Sequence, residues 1–445
     1  MDRMTTAPTL ATSPAARPAE LCEAHGHLPW LGKALSMLSL EGCTSVRDSL
    51  DRIAARAATM TPGAWLQVHS ARYEGWAERR WMTRDEVDRA TGPRPTLVMS
   101  FDHHAVFANS AALAAAKIDR STPDPAGGII ERVSSGPNSG EPTGLLLEAA
   151  AFSTWALAPE PPESRRQAQI TDALDHLAAL GFKEIHDLAS PHWLGPLLAT
   201  LEREQRLPLR VGLYGLLDDI EAIAATRSTW ESPRVRLLGG KIFTDGTLNS
   251  RTAWVIETYA ESPPDLQHGK PLMTPKEITN AAERCLRLNL GLAMHAIGDG
   301  AVRACLDGIA SIPSSLRLSV SPSLPIRIEH AELIAPTDIP RFAELGVVAS
   351  VQPCHLLADI EALHRAVPGQ LDRVMPWKSL IRSGLVPGKT LLFGSDVPIV
   401  RANPEDSIQA AVERRRAGMT APEAIKTDEA IDEATAWACF ATRMV

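Results

Sequence analysis

Several things are scarce in this chain, and each scarcity removes a class of protein. No stretch of about 18 apolar residues runs free of charge, the length a membrane-spanning helix needs, so no membrane partner is expected. Basic charge is not in excess: 45 Lys and Arg against 53 Asp and Glu leave a formal net charge of -8, which offers nucleic acid no electrostatic footprint. The six cysteines (Cys22, Cys43, Cys285, Cys305, Cys354, Cys439) are scattered, with no C-x-x-C pair. That excludes a disulfide scaffold and favours free, buried thiols in a reducing compartment, with the cytoplasm as the expected location. Residues 1–20 lack the continuous apolar core of a secretory signal and read as a disordered leader. No repeat of fixed period follows, so a solenoid is excluded as well.

What is present is an alternation of short apolar runs and amphipathic helices. From residue 166 the runs FKEIHD, LPLRVGLY, VRLLGGKIF, GLAMH, PIRIEH, VVASVQP and TLLFGSD are each separated by a helical pattern, the signature of a parallel sheet. With CEAHGH at 22–27 the count is eight. This predicts an α/β fold, a (β/α)₈ TIM barrel occupying residues 21–445, with a large insertion at about 37–150 after the first strand. Within the insertion, apolar spacing of three and four in SVRDSLDRIAARAATM predicts a helix ending before Pro62. TLVMSFDHH reads as a strand, and NSAALAAAKI as a helix capped by Asn109 or Ser110.

The strand ends carry the chemistry. His25 and His27, Lys241, His295, His330 and Asp396 fall at or near the ends of separate strands, and a parallel barrel gathers such ends at one face. An H-x-H pair alone is weak evidence, because alternation on a strand aligns two half-buried imidazoles without any metal. Joined by two further histidines and an aspartate in the same positions, it points to a metal centre. Lys241 is ambiguous on residue type. A salt-bridged or snorkelling side chain is the simpler reading, while a buried, neutral lysine can add carbon dioxide and become an anionic carbamate ligand.

The motifs EAHGHL (23–28), DHHAVFANSAAL (102–113), GEPTGLLLEAA (140–150), KIFTDGTLNSRTA (241–253), HAIGDGA (295–301), RIEHAEL (327–333), SVQPCH (350–355) and LLFGSDVPI (391–399) occur in one order. With them the chain resembles the amidohydrolase superfamily, in particular amidohydrolase family 3, the YtcJ-like hydrolases that include N-substituted formamide deformylases. The resemblance implies that His25, His27 and Asp396 hold one metal, that His295 and His330 hold a second, and that carboxylated Lys241 bridges them. It brings His104, Arg251, His355 and Arg373 near a substrate cleft, although polar rim positions would account for them equally well. At His104 the family reads Asp-Gly-His, whereas this chain has Asp102-His103-His104, and Glu23 stands where the family has Asp.

The expected cofactors are two Zn²⁺ ions, with carbon dioxide as the Lys241 carbamate; iron or manganese would suit the same donors. The expected reaction is hydrolysis of a non-peptide carbon–nitrogen bond in a small amide or N-substituted formamide, through a metal-bound hydroxide. A divalent ion lowers the pKa of bound water from about 16 to about 7. Asp396 would take the water's proton and return it to the leaving nitrogen. Two alternatives stand beside this: a deaminase or cyclic amidase using one metal without Lys241, and a degenerate, non-catalytic barrel with a binding role. Relatives carry a flanking β-sandwich, whose two halves look missing or truncated here. Leu21, Cys22 and the stretch Ile431 to Phe440 are then expected to lie bare, favouring self-association into a homo-oligomer or low solubility.

Overall fold

The structure is a computed structural model that describes residues 17–101, 105–125, 128–159, 162–260, 262, 264–313, 316, 324–420 and 423–441. The chain forms two compact units, one of Met1–Leu28 with Leu174–Val445 and one of Pro29–Ala173.

In the first unit eight parallel strands form the predicted barrel. In chain order they are β1 (Leu21–Gly26), β8 (Phe182–Ser190), β9 (Arg210–Leu216), β10 (Val235–Phe243), β11 (Gly291–Ala296), β12 (Ile326–His330), β13 (Val348–Val351) and β14 (Leu391–Phe393), and each pairs with the next. The numbers β2 to β7 belong to the second unit. The last strand returns to the first: Gly26 bridges Val397 in parallel, the Asp396 N–H donates to the His25 carbonyl (2.7 Å) and the His27 N–H to that of Val397 (2.9 Å). Helices such as Pro275–Arg287 and Asp299–Ala310 follow the strands, the former opened by a capping box in which Thr274 and Glu277 satisfy each other's backbone N–H. Gly394 is required by close approach, since a Cβ there would stand 2.5 Å from the His25 nitrogen.

The expectation of bare apolar ends is overturned. Leu21, Cys22, Trp437 and Phe440 are all buried. The Cys22 N–H donates to the Phe440 carbonyl (2.8 Å), the Phe393 N–H to that of Cys439 (3.1 Å), and the Phe440 ring packs on Phe182 and Phe393. The short helix Glu433–Ala438, capped by Asp432, folds this stretch back over the strands, so its apolar side chains cover one another.

The second unit brackets the stretch 37–150. It holds a mixed six-stranded sheet in which β2 (Leu38–Ser39), β3 (Leu66–Ala71) and β4 (Thr96–Ser100) run parallel, and β5 (Ala105–Ala108), β7 (Pro142–Glu148) and β6 (Gly128–Arg132) continue antiparallel. Both faces are buried: Val98 joins a core with Ile53, Val87 and Trp76, while its neighbours Leu97 and Met99 join another with Leu113 and Leu146. The predicted helices appear as Val46–Ala58, capped by Ser45, and Ser110–Ala116, capped by Asn109. The strand read over 96–104 ends at Ser100, and Asp102, His103 and His104 lie outside the described residues.

Candidate metal centre

Five strands of the barrel bring the predicted residues together. His27 follows β1 and His25 lies within it; their Nε2 atoms stand 2.9 and 3.3 Å from the same oxygen, Oδ1 of Asp396, and the three side chains form one cluster able to hold an ion. His330 closes β12 with its ring 4.9 Å from that of His25 and 4.4 Å from that of His295 on β11. Lys241 lies in β10, two residues short of its end and fully enclosed, and its Nζ is 5.0 Å from the Phe243 ring, which in turn lies 5.4 Å from His295.

Two of these residues hold a left-handed backbone that only glycine adopts freely, His330 at φ 69° and Asp396 at φ 62°. Such a conformation costs on the order of 1–3 kcal/mol and persists where neighbouring structure enforces it. Here it breaks the strand alternation at the last residue of β12, so His330 is freed from the side that its strand position would dictate.

The acceptors around the imidazoles set their tautomers. His25 Nδ1 faces the Glu329 carboxylate at 2.7 Å and His27 Nδ1 the Leu188 carbonyl at 2.5 Å, which leaves Nε2 of each toward Asp396. His295 is held the other way round, Nε2 on the Gly246 carbonyl at 3.1 Å. Among the described residues His330 Nδ1 is buried with no hydrogen-bond partner. Imidazole nitrogens gathered round a carboxylate are the donors a divalent ion takes, displacing the protons they hold in its absence.

Electrostatics point the same way. Burial pushes His295 down to about 3, with the Lys241 charge adding to it, and pushes His330 well below the usual range, so both rings are neutral. Burial also brings Lys241 down to about 8, against the pull of Glu329 and Asp396. For Asp396 burial works upward, but His25 and His27 outweigh it and hold the carboxyl well below the carboxylate range.

The other expected residues divide. His355 joins the site: its Nδ1 is 3.2 Å from Glu332, its Nε2 4.0 Å from Asp396 Oδ2, and its ring 5.8 Å from His330. Burial lowers its pKa, yet the Glu332 hydrogen bond prevails and raises it to about 9. Arg251 donates to the carbonyls of Leu248 and Asn249 in the loop after β10. Arg373 pairs with Asp299 at 2.6 Å and with Glu257.

Residue patterns did not single out two of the buried acids around the centre, Glu329 and Asp245, whereas Glu23 stands out by the resemblance, in place of the family's Asp. Glu329 supports His25; Asp245 accepts the N–H groups of Trp254, Ile297 and Gly298 and lies 3.6 Å from His295; Glu23 accepts from the His25 and Ser395 N–H groups, tying β1 to the loop that carries Asp396. One signal was available. The strand PIRIEH sets Arg327 and Glu329 two apart, the spacing of one strand face, within an otherwise apolar run.

Known proteins resemble this chain along most of its length. The amidohydrolase family model matches residues 20–444. Putative amidohydrolase YtcJ of Bacillus subtilis is 29% identical over 88% of this chain and 72% of that protein. The N-substituted formamide deformylase of Arthrobacter pascens is 25% identical over 92% and 76% respectively. An uncharacterized metal-dependent hydrolase from Pyrococcus horikoshii superposes with a TM-score of 0.72 at 26% identity, covering 94% of this chain and 78% of that one.

Proposed function

Because the chain belongs to the amidohydrolase family, whose solved neighbours include metal-dependent hydrolases, we propose that it hydrolyses a non-peptide carbon–nitrogen bond, that of an amide or N-substituted formamide. The observation that carries this is the convergence of His25, His27 and Asp396 on one oxygen, with the His295 and His330 rings alongside. In this reading His25, His27 and Asp396 would hold one zinc ion and His295 and His330 a second, with Lys241, as its carbamate, supplying anionic oxygen to both. The depressed lysine pKa supports the carbamate, since only the neutral amine adds carbon dioxide.

Bound divalent ions supply acidity to water and polarise a carbonyl oxygen. The chain's own groups do the rest. Asp396 is ionised and can accept a proton at its carboxylate, then deliver it to the departing nitrogen, which leaves poorly unless protonated. His355, kept protonated by Glu332 and lying beside Asp396 Oδ2, offers a positive N–H to an oxygen that gains charge during the reaction. The substrate is a small molecule and the location cytoplasmic in this proposal; among the described residues no helix is long and apolar enough to cross a membrane.

Metal analysis of the purified protein, combined with turnover assays on N-formyl, N-acyl and cyclic amides, tests it. Bound metal with turnover of open-chain amides or formamides is expected. Bound metal with activity only on cyclic amides or amino-heterocycles would replace it with the one-metal deaminase or cyclic-amidase reading. A chain that binds no metal and turns over none of these would be the degenerate barrel.

A further inference from the structure

We propose that Glu329, locked in place by Arg327, is the positioning residue that orients His25 toward the metal. The inference rests on His25 being a ligand, as read above. His27 and His295 turn a ring nitrogen to a backbone carbonyl, Leu188 at 2.5 Å and Gly246 at 3.1 Å; His25 instead meets a carboxylate, Oε2 of Glu329, at 2.7 Å. A carboxylate oxygen cannot face an imidazole lone pair at that distance, so a proton lies between them and His25 carries it on Nδ1. The amide nitrogen of Gln352 also approaches His25 Nδ1, at 3.2 Å, but it donates to the Ser350 carbonyl at 3.2 Å, and the charged, closer acceptor prevails. Nε2 of His25 is therefore the nitrogen turned to Asp396, at 3.3 Å from Oδ1, and the one left for a metal to take in exchange for any proton it carries.

Glu329 has no freedom to turn away. Arg327 grips both of its oxygens, Nε on Oε1 and Nη2 on Oε2 at 3.1 Å. The same guanidinium is pinned from three other strands: the Ala24 carbonyl of β1 at 2.5 Å, Nδ1 of His186 on β8 at 2.8 Å and the Ser350 hydroxyl of β13 at 2.6 Å. Both side chains are completely buried. Four strands thus converge on one arginine, and their register is transmitted through Glu329 to the plane of the His25 ring. A carboxylate behind a ligating imidazole fixes its tautomer and raises its basicity, and losing it typically lowers metal affinity about 10- to 100-fold.

The test compares zinc affinity, by chelator competition, in the wild type, Glu329→Gln, the double variant Arg327→Met with Glu329→Gln, and the control Glu184→Gln, whose carboxylate serves His186 and not His25. Both Glu329 variants are expected to bind zinc about 10- to 100-fold more weakly while the control binds as the wild type does. Should the single variant, which strands the Arg327 charge, fail to fold, the double variant removes both charges. The zinc-loaded wild type is in addition expected to show a slowly exchanging His25 Nδ1 proton by nitrogen-edited NMR. Unchanged zinc affinity in a folded Glu329 variant, or a His25 ring without a proton on Nδ1, overturns the positioning role alone. A wild type that takes up no zinc overturns the metal reading and this role with it.

Discussion

Two polar clusters occupy one barrel interior, and they differ in what they leave unsatisfied. The first is the candidate centre, His25, His27 and Asp396 with His295 and His330 near the strand ends. The second lies earlier in the strands, where Cys22, Glu184 and His186 also come close enough to hold an ion. In the second both ring nitrogens of His186 and both oxygens of Glu184 already have partners. Arg327 donates to His186 Nδ1, which puts the ring proton on Nε2, where it faces Glu184 at 3.1 Å; the other Glu184 oxygen takes Arg210 at 2.9 Å. A metal would have to displace these contacts. In the first cluster imidazole nitrogens crowd a single carboxylate oxygen, and His330 Nδ1 is buried without a partner among the described residues. Saturation of donors and acceptors, more than residue type, separates a brace from a binding site.

Substitution of Asp396 by Asn is the largest expected break in that contrast. The amide keeps the shape and removes the proton acceptor, so turnover should fall about 10²- to 10⁴-fold in folded, metal-loaded protein. Near-parental activity in steady-state assays would refute the assignment. Lys241→Ala should next lower the metal content, measured by elemental mass spectrometry, because the carbamate is the proposed bridge. Full retention of two ions per chain would remove Lys241 from the centre.

A smaller effect is expected from His355. Its folded-state pKa of about 9 lies above the ordinary 6.5, so its pairing with Glu332 stabilises the metal-free protein fully below about pH 6.5. That contribution, up to roughly 3 kcal/mol, is lost as the pH rises through about 9. Denaturation of chelated wild type and His355→Gln across this window should show the slope in the wild type only; equal slopes would show that another group titrates. Smallest is Glu184→Gln in the brace. Weakening its contacts to His186 and Arg210 should lower stability by about 2 kcal/mol and leave metal content untouched. Lost metal with unchanged stability would invert the comparison between the clusters.

Much of the fold was legible because its signals are local. Period-two and period-3.6 patterns gave the eight barrel strands within a few residues, and Ser45 and Asn109 capped their helices as their side chains demand. The pattern also failed locally. Lys241 is followed by two more strand residues, and Asp396 lies three residues beyond β14, so "strand end" was a coarse label for both. The apolar residues around Phe440 were expected to be bare because their partners, Phe182 and Phe393, are distant in sequence, and no local pattern announces such a contact.

The sequence by itself determined which donors exist, their order along the chain and the barrel that gathers them, since each follows from residue chemistry and short-range periodicity. Only the tertiary structure decided which polar groups cancel one another. Arg327 pairs with residues on β1, β8 and β13 as well as its own strand, and those partners are set by inter-strand register, a property of the closed sheet rather than of any segment. The left-handed turns at His330 and Asp396 are of the same kind: neither residue favours that backbone, and the packed barrel imposes it.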